Sequence, residues 1–152
     1  FKAFYTPSTS TALHTWYAFY NPTFLDSLYG KHHTSYSREG FLESTYTDQK
    51  LFNGIKKIHL KCTIKDYHRI VQELRYLGCK LLDRNGDILT IAGGDIKINI
   101  EPSSKIEYSK ITKIICRLNN KDHSITQLGN ITITNQGTKS IWNFDELHKN
   151  KP

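Results

Sequence analysis

Between Ile55 and Pro102 the apolar residues change their spacing twice, and this restricts the chain more than any other feature of its sequence. Ile58, Leu60, Cys62 and Ile64 alternate with His59, Lys61 and Thr63, the two-residue period of a strand with one apolar face. Ile70, Val71, Leu74 and Leu77 then recur at the spacing of a helical stripe. Asp66, a short polar residue, is expected to cap that helix and Gly78 to close it. The two-residue period then returns. Cys79 to Asp83 reads as a second strand, Asn85-Gly86 as a tight hairpin turn, and Ile88, Thr90 and Ala92 as one side of a third strand. After a turn at Gly93-Gly94, Ile96, Ile98 and Ile100 form the face of a fourth strand that ends at Glu101-Pro102. The predicted order over residues 55–102 is β-α-β-β-β.

The flanking segments are less regular. Leu13 to Tyr20 is strand-like, with His14, Trp16 and Tyr20 on one face, and a short helical turn follows before Gly30, so residues 12–30 read as strand and short helix. Residues 31–54 read as a polar connection. Residues 106–146 supply further strands: one over Ile111 to Leu118, turn chemistry at Asn119 to Asp122, and a hairpin of Asn130–Thr134 with Ser140–Phe144 joined across Gln136-Gly137. Residues 147–152 are a polar tail. Together these predict a single α+β domain over residues 1–152.

Composition excludes several classes. At 152 residues, 38% hydrophobic and 23% charged, the chain is neither disordered nor fibrous, and folding buries roughly two thirds of its unfolded surface. No apolar run approaches the roughly 20 residues that span a bilayer as a helix. Cys62, Cys79 and Cys116 lack the spacing of a zinc knuckle or a disulfide scaffold, so buried thiols are expected, with one disulfide as the exported alternative. The net charge of +7 hints at an anionic partner, but the lysines run from Lys2 to Lys151 without forming an arginine-rich tract. A solvated surface is therefore favoured over a nucleic-acid face. The chain starts at Phe1 and contains no methionine, which reads as a cut, either a removed export signal or a chosen boundary. Localisation stays open, with the periplasm or the exterior as options.

The stretch GIKKIHLKCTIKDYHRIVQELRYLGCKLL together with IKINIEP resembles one module of the vicinal-oxygen-chelate, or glyoxalase-like, superfamily. His59, Asp66 and Leu77-Gly78 fall where that superfamily places an opening-strand histidine, the start of the helix and its Leu-Gly close. The resemblance implies a half-open barrel built from two such modules around a pocket that often holds a divalent metal. It departs from the family at the closing strand. Where a metal-dependent member carries an inward glutamate, this chain has Ile98 and Asn99, with Glu101 the only carboxylate and at the strand end.

These readings lead to a domain that binds a small organic ligand without a metal or other cofactor, through His14, Trp16, Tyr20, His59 and Lys61. His59 and Glu101 are the candidate catalytic or metal-binding groups of the alternative, a metal-dependent lyase, isomerase or dioxygenase. A third reading is a basic domain that docks on nucleic acid or an acidic partner. A homodimer is compatible with all three.

Overall fold

The computed structural model describes residues 2–5, 13, 15–19, 51–93 and 95–144. Strands β1 (Lys2–Tyr5) and β2 (Trp16–Phe19) pair antiparallel in a two-stranded sheet, Lys2 opposite Phe19 and Tyr5 opposite Trp16. The chain divides into two compact units, Phe1–Ser10 with His14–Lys50 and Thr11–Leu13 with Leu51–Pro152. The second unit contains all the remaining elements.

Its architecture is mixed α+β. Strands β3 (Phe52–Thr63), β4 (Lys80–Asn85), β5 (Ile88–Gly93), β6 (Ile96–Ser103), β7 (Lys110–Asp122), β8 (Ile125–Leu128) and β9 (Ile131–Phe144) form one sheet in the order β4-β5-β6-β3-β7-β9-β8. β3 and β6 run parallel; every other neighbouring pair is antiparallel. The sheet is open, with β4 and β8 as its edges, and is not a closed barrel. Helix α1 (Ile64–Tyr76) makes the crossover between β3 and β4 and lies against β3 and β6. Among the described residues no helix is long and apolar enough to cross a membrane.

The predicted order β-α-β-β-β is the observed order from β3 to β6, and the core follows from it. Leu60 sits beside Ile100, and Ile100 beside Leu89, so these three side chains share a face. Ile58, Ile98 and Ile91 form the next row on that face. Helix α1 turns Ile70, Val71 and Leu74 inward, and Cys62, Leu89, Ile91 and Ile100 are buried with them. Burying each such aliphatic side chain stabilises the fold by about 1.5–3 kcal/mol. The helix ends in paired backbone bonds, Gly78 N to Arg75 O at 3.0 Å and Cys79 N to Leu74 O at 2.9 Å, which satisfy two of its last carbonyls.

Five local expectations are corrected. The helix cap is Thr63, whose hydroxyl accepts from Asp66 N at 3.3 Å; Asp66 lies in the first turn and turns its carboxylate inward, because it has partners there. Ile64 is the first helical residue and 46% exposed, so it leaves the apolar face of β3. In the β4–β5 hairpin Asn85 is a ladder residue opposite Ile88, and Gly86-Asp87 makes the turn. The last hairpin moves as well. Gln136-Gly137 lies inside the long strand β9, with Gly137 opposite Asp122 at a register shift of the β7–β9 ladder. Its φ of +64° serves a bulge rather than a reversal. The reversal falls at Gly129-Asn130, between Leu128 and its partner Ile131, where Gly129 has φ +59°. The turn placed at Asn119 to Asp122 shifts likewise, since β7 continues to Asp122. Asp122 accepts from His123 N, Ser124 N and Oγ, and Asn135 Nδ2, and the donors Ser124 and Asn135 hold its carboxyl below the usual carboxylate range.

Candidate functional site

Because side chains alternate along a strand, the residues between the core positions of β3 and β6 face away from α1. On β3 these are Lys57, His59 and Lys61; on β6 they are Lys97, Asn99 and Glu101. The register sets them side by side as Lys57 with Lys97, His59 with Asn99 and Lys61 with Glu101. The row through His59 extends further in both directions. Asn99 stands opposite Thr90 on β5, and Thr90 opposite Asp83 on β4. His59 stands opposite Lys113 on β7, and Lys113 opposite Asn143 on β9. A continuous polar row, Asp83–Thr90–Asn99–His59–Lys113–Asn143, thus crosses six strands. The next row on this face is Ala92–Lys97–Lys57–Ile115–Ile141, which brings apolar surface beside the lysines.

Within the row Thr90 Oγ1 donates to Asn99 Oδ1 at 3.2 Å, and in the row on its other side Lys61 Nζ lies 3.6 Å from Glu101 Oε1. His59 differs from these neighbours. Its Nε2 is buried and has no hydrogen-bond partner, a state that costs free energy unless something supplies the bond. Burial lowers the His59 pKa, and the charges of Lys57 and Lys113 lower it further against a smaller opposing effect of Glu101. The ring is therefore held neutral below the ordinary histidine range.

Of the residues expected to form a site, His59, Lys61 and Glu101 come together on this face. Trp16 lies in β2, in the other compact unit, and His14 and Tyr20 lie outside the described residues. Sequence reasoning missed Lys57, Thr90 and Lys113. The first two share the alternation that exposes His59, so period two alone could have found them. Lys113 comes alongside only through the β3–β7 register, which shifts between His59 and Leu60.

A metal does not fit this set. Among the described residues no three of His, Cys, Asp and Glu stand together, Glu101 is engaged by Lys61, and Lys57 and Lys113 would repel a cation beside His59.

A second polar cluster lies under the start of α1. Asp66, fully buried, accepts from Ser109 Oγ at 2.5 Å and from Arg69 Nη2 at 3.1 Å. Arg69 also reaches Glu73 Oε1 at 2.8 Å and Leu13 O at 2.9 Å, while Ser109 Oγ accepts from Thr63 N at 2.9 Å. Burial acts against the Arg69 charge, but Asp66 and Glu73 outweigh it and raise its pKa. These bonds all run between protein groups, so the cluster is a structural clamp between the helix, residue 13 and the β6–β7 connection.

The cysteines are all free, so the single-disulfide alternative is not realised. Burial, and after it the charge of Asp66, pushes the Cys62 thiol up to about 11, and burial raises Cys116. Cys79 is half-buried and opens on a depression lined by Leu77, Gly78, Lys80 and Ala92. Iodoacetamide at pH 8 is expected to alkylate Cys79 first in the native protein, since thiolates react. Mass spectrometry after a short pulse checks this, and equal labelling at Cys62 would contradict it.

A family model described as a family of unknown function matches residues 1–144. No curated protein and no solved structure matches the chain.

Proposed function

Since the chain belongs to DUF5829, a family of unknown function, its own residues must carry the functional reading, and we propose that the sheet face centred on His59 binds a small organic ligand. The observation that carries this is the buried, partnerless Nε2 of His59 in the middle of a six-strand polar row. A ligand hydrogen bond to that nitrogen would offset its desolvation, and Thr90, Asn99 and Lys113 would orient the same molecule. Ile115 and Ile141, half-buried on the neighbouring row, offer an apolar seat.

The glyoxalase-like resemblance supports this reading at the level of the fold. The β-α-β-β-β segment is continuous in one sheet, its helix covers one face, and the histidine of its opening strand lies on the other. In the half-open barrel of that superfamily the uncovered face lines the pocket. The reading takes the form of binding without a metal.

Amide-shift mapping with a fragment library tests it. Hits are expected to perturb residues 57–61, 90–92 and 98–100 together. His59→Ala should weaken them about tenfold, the effect of one hydrogen bond to a buried group. Hits confined to the exposed side of α1, or unmoved by His59→Ala, would sink the proposal.

A further inference from the structure

The same face carries a charge pattern that the fold does not balance. Lys57 stands directly opposite Lys97, and like charges facing each other across a ladder are destabilising. Lys113 on β7 stands opposite His59. Glu101 is the carboxylate of this central patch, and it is taken by Lys61. Among the described residues no ion pair joins Lys57, Lys97 or Lys113 to a carboxylate. Lys97, Lys57 and Lys113, on three adjacent strands, therefore occupy register positions in or next to the row of a histidine whose buried Nε2 lacks a partner. Two half-buried isoleucines, Ile115 and Ile141, continue the row of Lys57.

We infer that this patch recognises a small organic anion, a carboxylate or phosphate on a compact apolar body, with Lys57, Lys97 and Lys113 on the anionic head, His59 Nε2 as a hydrogen-bonding contact, and Ile115 and Ile141 beneath the body. The inference rests on the small-molecule reading above and adds the charge of the ligand. Lysine is suited to the role because its ammonium is a compact point charge on a flexible stem. An anion seated there would also relieve the repulsion between Lys57 and Lys97. A positive face with few fixed carboxylates attracts such a ligand over distances of about a Debye length, roughly 10 Å at 0.1 M salt.

Benzoate and its uncharged isostere benzamide separate the charge from the body, and inorganic phosphate separates the head from both. In amide-shift titrations of the full chain at low salt, benzoate is expected to move residues 57–59, 97–99 and 113–115 saturably, and to bind at least tenfold more tightly than benzamide. Lys57→Gln and Lys113→Gln should each weaken benzoate severalfold, with the thermal midpoint checked to show that they fold. Lys105→Gln and Lys121→Gln, away from the patch, should leave it unchanged. Phosphate should compete with benzoate if the lysines hold the head. Equal binding of benzamide would overturn the anion while leaving the small-molecule reading intact. Shifts spread over lysines throughout the chain, equal losses in the control variants, or no binding of any probe would overturn the inference outright.

Discussion

Replacing Asp66 with alanine is expected to lower the unfolding free energy by about 3–5 kcal/mol, the usual loss when one partner of a buried ion pair is removed. Asp66 has no exposed surface, and its two oxygens serve different donors, Ser109 Oγ and Arg69 Nη2. Its removal leaves a buried hydroxyl without its acceptor and takes from the guanidinium one of its two carboxylate partners among the described residues, the other being Glu73. It also removes one of the bonds that tie the β6–β7 connection to the start of α1. Asp66→Asn keeps the shape and part of the hydrogen bonding, and should lose less, about 1–3 kcal/mol. Denaturant unfolding measures both, and a loss under about 1 kcal/mol for Asp66→Ala would mean that the clamp is not what holds the helix start.

Ile100→Ala should cost about 2–5 kcal/mol, through lost transfer energy and the cavity left behind. Ile100 is wholly buried, in register between Leu60 on β3 and Leu89 on β5, on the face covered by α1. None of these neighbours can collapse into the gap without breaking a ladder. Leu128→Ala is the comparison. Leu128 is 57% exposed on the edge strand β8, and its truncation should stay within about 0.5 kcal/mol. If the two variants unfold at the same denaturant concentration, the core has been placed on the wrong face.

Residues 55–102 were legible because their information is local. The alternation Ile58-Leu60-Cys62, the helical stripe Ile70-Val71-Leu74 and the glycine after Leu77 each specify an element within a few residues, and the elements then stack in sequence order. What failed was decided at a distance. Asp66 reads as a cap until Ser109, 43 residues on, supplies a partner. Gly129 and Gly137 have the same local chemistry, and only the length of the β7–β9 ladder assigns one to a reversal and the other to a bulge. The candidate site divides in the same way. His59, Lys61 and Glu101 follow from period two, whereas Lys113 becomes a neighbour of His59 only through a pairing of strands more than 50 residues apart.

The position of β3 has a kinetic consequence. It is the central strand of the sheet, yet neither neighbour is close in sequence: Lys57 pairs with Lys97 on one side and with Ile115 on the other. The local hairpins β4–β5, β5–β6 and β8–β9 can close early, but they remain separate pieces until β3 joins them. Each long closure costs chain entropy before any contact repays it. Folding should therefore be slow for the chain's size, in the milliseconds-to-seconds range of domains dominated by non-local pairing. Substitutions in β3 should slow refolding, while those in the β8–β9 hairpin should mainly speed unfolding.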